Sequence, residues 1–295
     1  MRADVVYYDR GCEGYPKRLM PYKNMPDRLY SKGAVPSDEK PTVAIVGARM
    51  CSAYGRSQAL RFARVLSEHG VQIISGLAYG IDALAHRGAL NGGGATFAVL
   101  GCGADICYPK ENYPLLLDML EHGGGILTEF PHGDPPRSWH FPLRNRVISA
   151  LSDVVLIIEA KEKSGSLITA DYALEQGKTI FALPGRVNDQ LSAGCNRLIA
   201  QGASIALSPT DVLEELGIAE KAEETETAVC YSKEPGKIMA ALQGNRLSMA
   251  ELQKKTGLEF LVLTQVLLRL ELEGRVVENP PGWYEINREN RGKKK

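Results

Sequence analysis

Between Thr42 and Leu183 the sequence alternates short, almost wholly apolar runs with amphipathic stretches, and glycines cluster where the runs end. Thr42–Val46, Val71–Ile74, Ala95–Leu100, Gly125–Thr128, Val154–Ile158 and Thr179–Leu183 are too short for helices and do not alternate apolar with polar. Such runs read as strands buried on both faces. The stretches between them predict helices over Gln58–Glu68, Ile81–Leu90, Tyr113–Glu121, Arg144–Leu151 and Ser166–Gln176. Strand–helix alternation of this kind dictates a largely parallel sheet covered by helices on both faces, an extended Rossmann-like α/β fold. In open α/β sheets, ligands bind in the crevice at the strand C-termini, so the glycine-rich turns there become the candidate site.

The first turn is Val46-Gly47-Ala48-Arg49, followed by Ser52-Ala53-Tyr54-Gly55-Arg56. A glycine turn that opens onto a helix presents backbone N–H groups to an anion, and Arg49 adds a charge-assisted phosphate contact. The alternative is that Gly47 only turns the chain and Arg49 pairs with a surface carboxylate. The turn is not G-x-G-x-x-G and no acidic residue follows at the ribose-binding offset, which argues against a dinucleotide. The device recurs at Ser75-Gly76-Leu77-Ala78-Tyr79-Gly80-Ile81-Asp82, and again at Leu100-Gly101-Cys102-Gly103-Ala104-Asp105 with Tyr108-Pro109-Lys110 after it. Asp82 and Asp105 read equally well as helix caps. Three such loops at one sheet edge would line a groove long enough for several phosphates.

Arg137-Ser138-Trp139-His140-Phe141-Pro142-Leu143-Arg144-Asn145-Arg146 is the densest stretch, basic residues interleaved with aromatics. That composition suits an electrostatic groove with stacking platforms for bases. The competing reading places Trp139 and Phe141 in the core, with the arginines capping the sheet. Lys163-Ser164-Gly165-Ser166-Leu167-Ile168-Thr169 opens the next helix with another anion-binding turn. Leu183-Pro184-Gly185-Arg186 and Gly194-Cys195-Asn196-Arg197 continue the pattern of polar turns.

Known catalytic patterns are missing: Walker A, H-E-x-x-H and G-x-S-x-G do not occur. Glu129, Glu159 and Asp171 are available as bases, but isolated carboxylates at strand ends are more often structural partners. The six cysteines include no C-x-x-C pair and no histidine at zinc spacing, so reduced, buried structural thiols are expected, with no metal and no cofactor. Lys+Arg and Asp+Glu are 35 each, so any basic surface must be local. No signal sequence opens the chain and no apolar run nears the ~20 residues that span a bilayer, so a soluble cytoplasmic protein without membrane contact is expected.

Outside this domain, residues 1–41 read as a loop-rich lead-in packing on it, with one short helix, because Pro16, Pro21, Pro26 and Pro36 interrupt it. The main domain is expected over 42–217 and an acidic, apolar-poor linker over 218–234. Residues 235–289 read as helices over Lys237–Leu242, from a Ser248 cap through Lys255, and over Glu259–Glu273, then two strands at Gly274–Glu278 and Gly282–Ile286. Three helices and a hairpin make a small winged-helix-like domain. Residues 290–295 form a basic tail. The third helix sets Arg269 against Glu259, Glu271 and Glu273, poor for duplex recognition, which favours a protein-contact or weak duplex-binding role.

The ordered motifs Val46-Gly47-Ala48-Arg49, Ser75-Gly76-x-Ala78-x-Gly80-Ile81-Asp82, Leu100-Gly101-x-Gly103-x-Asp105-x-x-Tyr108-Pro109, Phe141-Pro142-x-Arg144-Asn145-Arg146, Ser164-Gly165-Ser166-Leu167-Ile168-Thr169-Ala170 and Pro184-Gly185 resemble those of the DNA-processing protein A family (DprA, also called Smf). The lead-in, with Tyr15-Pro16 and Pro26-x-x-Leu29-Tyr30-x-x-Gly33, is similar to that family's too. The resemblance implies a homodimeric, non-enzymatic protein that binds single-stranded DNA without strong sequence preference. It also implies that the strand is handed to the RecA recombinase during natural transformation. By the same resemblance Arg49 contacts phosphate, Lys110 and Arg137 are basic groove residues, and Phe141 contacts a base. The expected site is therefore Gly47, Arg49, Ser75, Gly76, Gly80, Lys110, Arg137, Phe141, Arg144, Asn145, Arg146, Ser164, Gly165 and Ser166. The alternatives are a nucleotide or nucleoside-phosphate hydrolase with Glu129 or Glu159 as base, and a transcriptional regulator acting through the winged-helix-like unit. The loop Ser164-Gly165-Ser166-Leu167-Ile168-Thr169 lacks the Pro-Gly-Gly-x-Gly-Thr pattern such hydrolases carry.

Overall fold

A computed structural model describes residues 4–218, 234–272, 275–280 and 282–287. Two compact units divide the chain, residues 1–220 and 221–295. The expected linker, apart from its two ends, and the basic tail lie outside the described residues.

The first unit is built on one sheet of nine strands. They are β1 (Val5–Asp9), β2 (Arg28–Gly33), β3 (Thr42–Val46), β4 (Gln72–Ser75), β5 (Thr96–Val99), β6 (Gly125–Thr128), β7 (Val154–Ile157), β8 (Thr179–Ala182) and β9 (Ser204–Ile205). Their spatial order is β1-β2-β6-β5-β4-β3-β7-β8-β9. From β6 to β9 every pairing is parallel, while β1 and β2 add antiparallel at the β6 edge. The chain moves outward from β3 to β6, then returns to pair β7 on the other flank of β3. That reversal is the topological switch point where open α/β sheets hold ligands.

Among its described residues this unit has seven α-helices: α1 (Ala53–Glu68), α2 (Ile81–Asn91), α3 (Tyr113–Glu121), α4 (His140–Ala150), α5 (Gly165–Glu175), α6 (Ala193–Ala200) and α7 (Pro209–Glu215). Successive strand side chains point to opposite faces. Accordingly Val43 and Ile45 pack with Phe62, Leu66 and Ile81 of α1 and α2, whereas Ala44 and Val46 pack with Ile148 of α4 and Ala170 of α5. The sheet is thus covered on both faces, as the continuous apolar runs require.

The lead-in corrects the sequence reading, for it supplies two strands and not only the short 3-10 turn at Lys17–Leu19. Its five prolines all fall outside Val5–Asp9 and Arg28–Gly33, so neither strand loses a ladder donor. The segment is pinned where the sheet begins: Arg18 ion-pairs with Asp153, whose other oxygen accepts from the Thr42 amide at 2.9 Å. The second correction lies past β8, where Ala193–Ala200 is a helix and not a polar turn, followed by β9 and α7.

Two helices start earlier than the periodicity suggests. Ser52 caps α1 by accepting from the Gly55 amide at 3.1 Å, so the first turn forms around a glycine that looked like loop. Pro142 falls in the first turn of α4, where its missing N–H would be unsatisfied anyway.

The cysteines behave as expected in the interior. Burial pushes the Cys102 and Cys107 thiols up to about 11 and Cys195 up to about 12, away from reactive thiolate. Cys12 departs from that expectation because it sits exposed in the turn after β1, and Cys230 lies outside the described residues.

The second unit has α8 (Glu234–Ala241), β10 (Leu247–Ser248), α9 (Met249–Thr256), α10 (Phe260–Leu272), β11 (Val276–Glu278) and β12 (Trp283–Ile286). Its three strands order β10-β12-β11, a winged helix whose first short strand sequence reading missed. Ser248 does cap α9, in a reciprocal box with Glu251: the Ser248 amide donates to the carboxylate at 2.8 Å. Ile238, Leu252, Leu263 and Leu267 form its core. No helix among the described residues is long and apolar enough to cross a membrane.

Candidate nucleic-acid interface

A crevice of about 670 Å³ opens at the switch point. One wall is the turn after β3, Gly47 to Met50; the other is Lys161 to Thr169, after β7; the first two turns of α4 close the third side through Phe141, Pro142 and Asn145. Of the expected residues, Gly47, Arg49, Phe141, Arg144, Asn145, Ser164, Gly165 and Ser166 meet here.

The Arg49 turn is held by the helix beside it. The Ile81 amide donates to the Ala48 carbonyl at 3.2 Å, and Gly80, at φ 74°, lies so close to the Ala48 and Arg49 carbonyls that a side chain has no room. From the other flank, Glu159 is buried and accepts from the Ser52 amide at 2.9 Å and hydroxyl at 2.5 Å. The backbone under Arg49 is therefore fixed while its side chain extends over the Phe141 ring, 5.5 Å from the centroid. Tyr108 flanks the same ring, with centroids 5.5 Å apart.

At the opposite wall Ser164 caps α5, its hydroxyl 3.4 Å from the Ser166 amide and 2.8 Å from the Ser166 hydroxyl. The positive end of an 11-residue helix thus faces the crevice, flanked by exposed Lys161 and Lys163. Among the described residues, Arg49, Lys161 and Lys163 make no ion pair. The one lining carboxylate is Asp82, which is buried. Sequence reading passed over Lys161 and left Lys163 outside the expected site; the available signal was their position just before an anion-binding turn.

Asp82 and Arg144 form the crevice floor. Arg144 is 4% exposed and donates to the Gly76 carbonyl at 2.9 Å and to the Val99 carbonyl. Asp82 accepts from the Gly76 amide at 3.1 Å. Burial lowers the Arg144 pKa to about 10 and raises that of Asp82, while each charge favours the other. Arg144 is thus chiefly a buried tie between the ends of β4 and β5, not the free groove cation its sequence position suggested.

Other expected residues fall elsewhere. Ser75 is fully buried and its hydroxyl donates to the Ile45 carbonyl at 2.6 Å; a small side chain between adjacent parallel strands has no access to ligand. Arg146, 7% exposed, is ion-paired with Glu129 at 2.6 Å, so its charge is already matched. Gly76 lines a cleft of about 30 Å³ that adjoins Arg49 and Phe141, and Gly80 a shallow one shared with Arg49 and Arg56. Lys110 and Arg137 are exposed but do not line the main crevice, and Arg137 lies 3.4 Å from Asp134. Trp139 is 55% exposed, edge-on to His140 and Phe130, and is not a core residue.

The two glutamates considered as bases are both occupied, Glu129 by Arg146 and Glu159 by Ser52. No group of three or more metal-ligating side chains occurs among the described residues.

The family model of DNA recombination-mediator protein A matches residues 7–217, and that of the DprA winged helix domain matches residues 220–282. Protein Smf of Escherichia coli is 36% identical over 94% of this chain and 76% of its own length. DNA processing protein A from Streptococcus pneumoniae, a solved structure, shares 40% identity over 72% of this chain and 74% of that one, with a TM-score of 0.66. DNA processing protein A from Helicobacter pylori, whose structure was described for its single-stranded-DNA binding mode, shares 32% identity over 73% of this chain and 98% of that one, with a TM-score of 0.64. The chain belongs to the DNA recombination-mediator protein A family, DprA/Smf.

Proposed function

We propose that this protein binds single-stranded DNA across the switch-point crevice, with backbone phosphates on Arg49, Lys161, Lys163 and the N-terminus of α5, and a base against Phe141. The observation that carries the reading is a set of unpaired cations around an aromatic surface in a crevice whose single lining carboxylate is buried. Cations that take no internal partner are free to replace the counterions of a polyanion. The half-buried ring lines the crevice, and a ring face can stack on any base, so little sequence preference is expected. The single-stranded-DNA binding mode described for the H. pylori relative supports the same reading.

In this reading the protein is a non-enzymatic homodimer of the cytoplasm that passes incoming strands to a RecA-type recombinase. The occupied states of Glu129 and Glu159 support the absence of hydrolytic chemistry. The test is fluorescence anisotropy of a labelled oligo(dT) strand against matched duplex over a salt series. Preference for the single strand that weakens with salt is the expected result. Equal affinity for duplex, or release of free base from a nucleoside monophosphate, overturns it.

A further inference from the structure

The crevice does not end at Lys161. A shallower one of about 540 Å³ shares Met50, Lys161 and Leu191 with it and continues to Arg186, Asn188 and Asp189. Met50 stands on the common rim, 82% exposed. Beyond it the wall is the segment between β8 and α6, residues 183–192.

That segment is anchored along its length. The Gly185 amide donates to Asn196 Oδ1 at 3.2 Å and its carbonyl accepts from Asn196 Nδ2 at 3.0 Å. A Cβ on Gly185 would collide with Ser192, so the two ends of the loop are in contact. The Tyr54 hydroxyl donates to the Pro184 carbonyl at 3.3 Å, which ties the loop to α1. Most telling, the Ala160 amide donates to the Leu191 carbonyl at 2.8 Å, and the Gly194 amide to the Ala160 carbonyl at 2.8 Å. The segment that carries Lys161 and the one that carries Arg186 are therefore bonded side by side.

Arg186 is exposed and makes no ion pair among the described residues. The nearby Asp189 carboxylate is turned onto the Leu191 amide at 2.9 Å. The extension thus presents one free cation on a pre-ordered loop next to a cation of the main crevice, with its acid engaged.

We propose that a single strand filling the main crevice runs on over Met50 onto the β8–α6 loop, where Arg186 takes a further backbone phosphate. This rests on the reading that the strand occupies the crevice between Arg49 and Lys163. Arg186 then acts as a length sensor, felt by strands long enough to cross Met50 and invisible to shorter ones.

The experiment uses the full chain and oligo(dT) of about 6 and about 20 nucleotides, one near the short end of usual single-strand site sizes and one beyond the long end. Wild type, Arg49→Ala, Arg186→Ala and Arg186→Glu are compared by anisotropy across a salt series. Arg186→Ala is expected to weaken the longer strand severalfold and to lower its salt slope by about 0.7, the value for one phosphate of a single strand. It leaves the shorter strand unchanged, and Arg186→Glu deepens the loss on the longer one. Equal loss on both lengths overturns the proposal by placing Arg186 within the first crevice. No loss on either length, with Arg49→Ala weakening both, overturns it while the crevice reading stands. If Arg49→Ala also changes nothing, the crevice reading itself has failed and the extension falls with it.

Discussion

The Arg49 guanidinium carbon lies 5.5 Å from the centre of the Phe141 ring, a cation from the turn after β3 and an aromatic ring from the first turn of α4. The pairing orients Arg49 toward the crevice without neutralising it. Arg49→Ala is expected to weaken single-strand binding and to lower the slope of log K against log salt by about 0.7. Arg49→Lys keeps the slope and loses part of the affinity, because the ammonium cannot hold a bidentate phosphate. Salt-series anisotropy on the three proteins checks both.

Phe141 separates stacking from charge. Phe141→Ala is expected to cost about 1–3 kcal/mol of binding, with the salt slope unchanged. Phe141→Trp retains most of the affinity, since what matters is a π-face. A Phe141→Ala variant whose salt slope falls along with its affinity would show that the ring acts by positioning Arg49.

Arg144 on α4 and Arg49 in the turn after β3 both line the crevice but differ in what they hold. Arg144→Ala leaves the Gly76 and Val99 carbonyls without their donor and Asp82 without its counter-charge. A buried acceptor left without its hydrogen-bond donor costs about 1–3 kcal/mol. Chemical denaturation should show that loss in Arg144→Ala and almost none in Arg49→Ala.

His86 makes stability depend on pH. It is fully buried, its Nδ1 donates to Thr96 Oγ1 at 2.7 Å, and that hydroxyl donates to the Ile73 carbonyl at 2.8 Å. Burial lowers its pKa from an ordinary 6.5 to about 3. Between those values the unfolded chain binds a proton that the folded chain refuses, so stability rises with pH there. The contribution is complete above 6.5 and is lost as pH falls toward 3. His86→Asn, which keeps a donor for Thr96, should flatten the decline in denaturation midpoint between about pH 7 and about pH 5. An equally steep decline in the variant would assign it to other groups.

The strands from β3 to β8 were legible because a strand buried on both faces has no choice but to be apolar throughout, as Thr42–Val46 shows. The lead-in strands were not, since Arg28–Gly33 lies at the antiparallel margin and carries the mixed pattern of a half-covered element. The site was legible where geometry is local: a glycine turn before a helix announces itself at Gly47 and at Gly165. It was not legible where the role of a charge depends on distant partners. Arg144 and Arg146 look alike in a basic run, yet one meets Gly76 and Val99 carbonyls and the other meets Glu129, contacts set only when the sheet assembles. Lys161 was missed for the mirrored reason: nothing in its own neighbourhood says that no acid will reach it.

Arg49 follows β3 and Lys161 follows β7, strands that are neighbours in the sheet although β4, β5 and β6 come between them in the chain. The two walls of the crevice consequently do not coexist in any product of synthesis that stops short of β7. A chain stalled after β6 carries one cationic turn and no facing surface, and pairing across so long a separation is among the slower events of folding. On the proposed reading, affinity for a polyanion arises only once β7 has paired with β3 and brought the second cationic turn opposite the first.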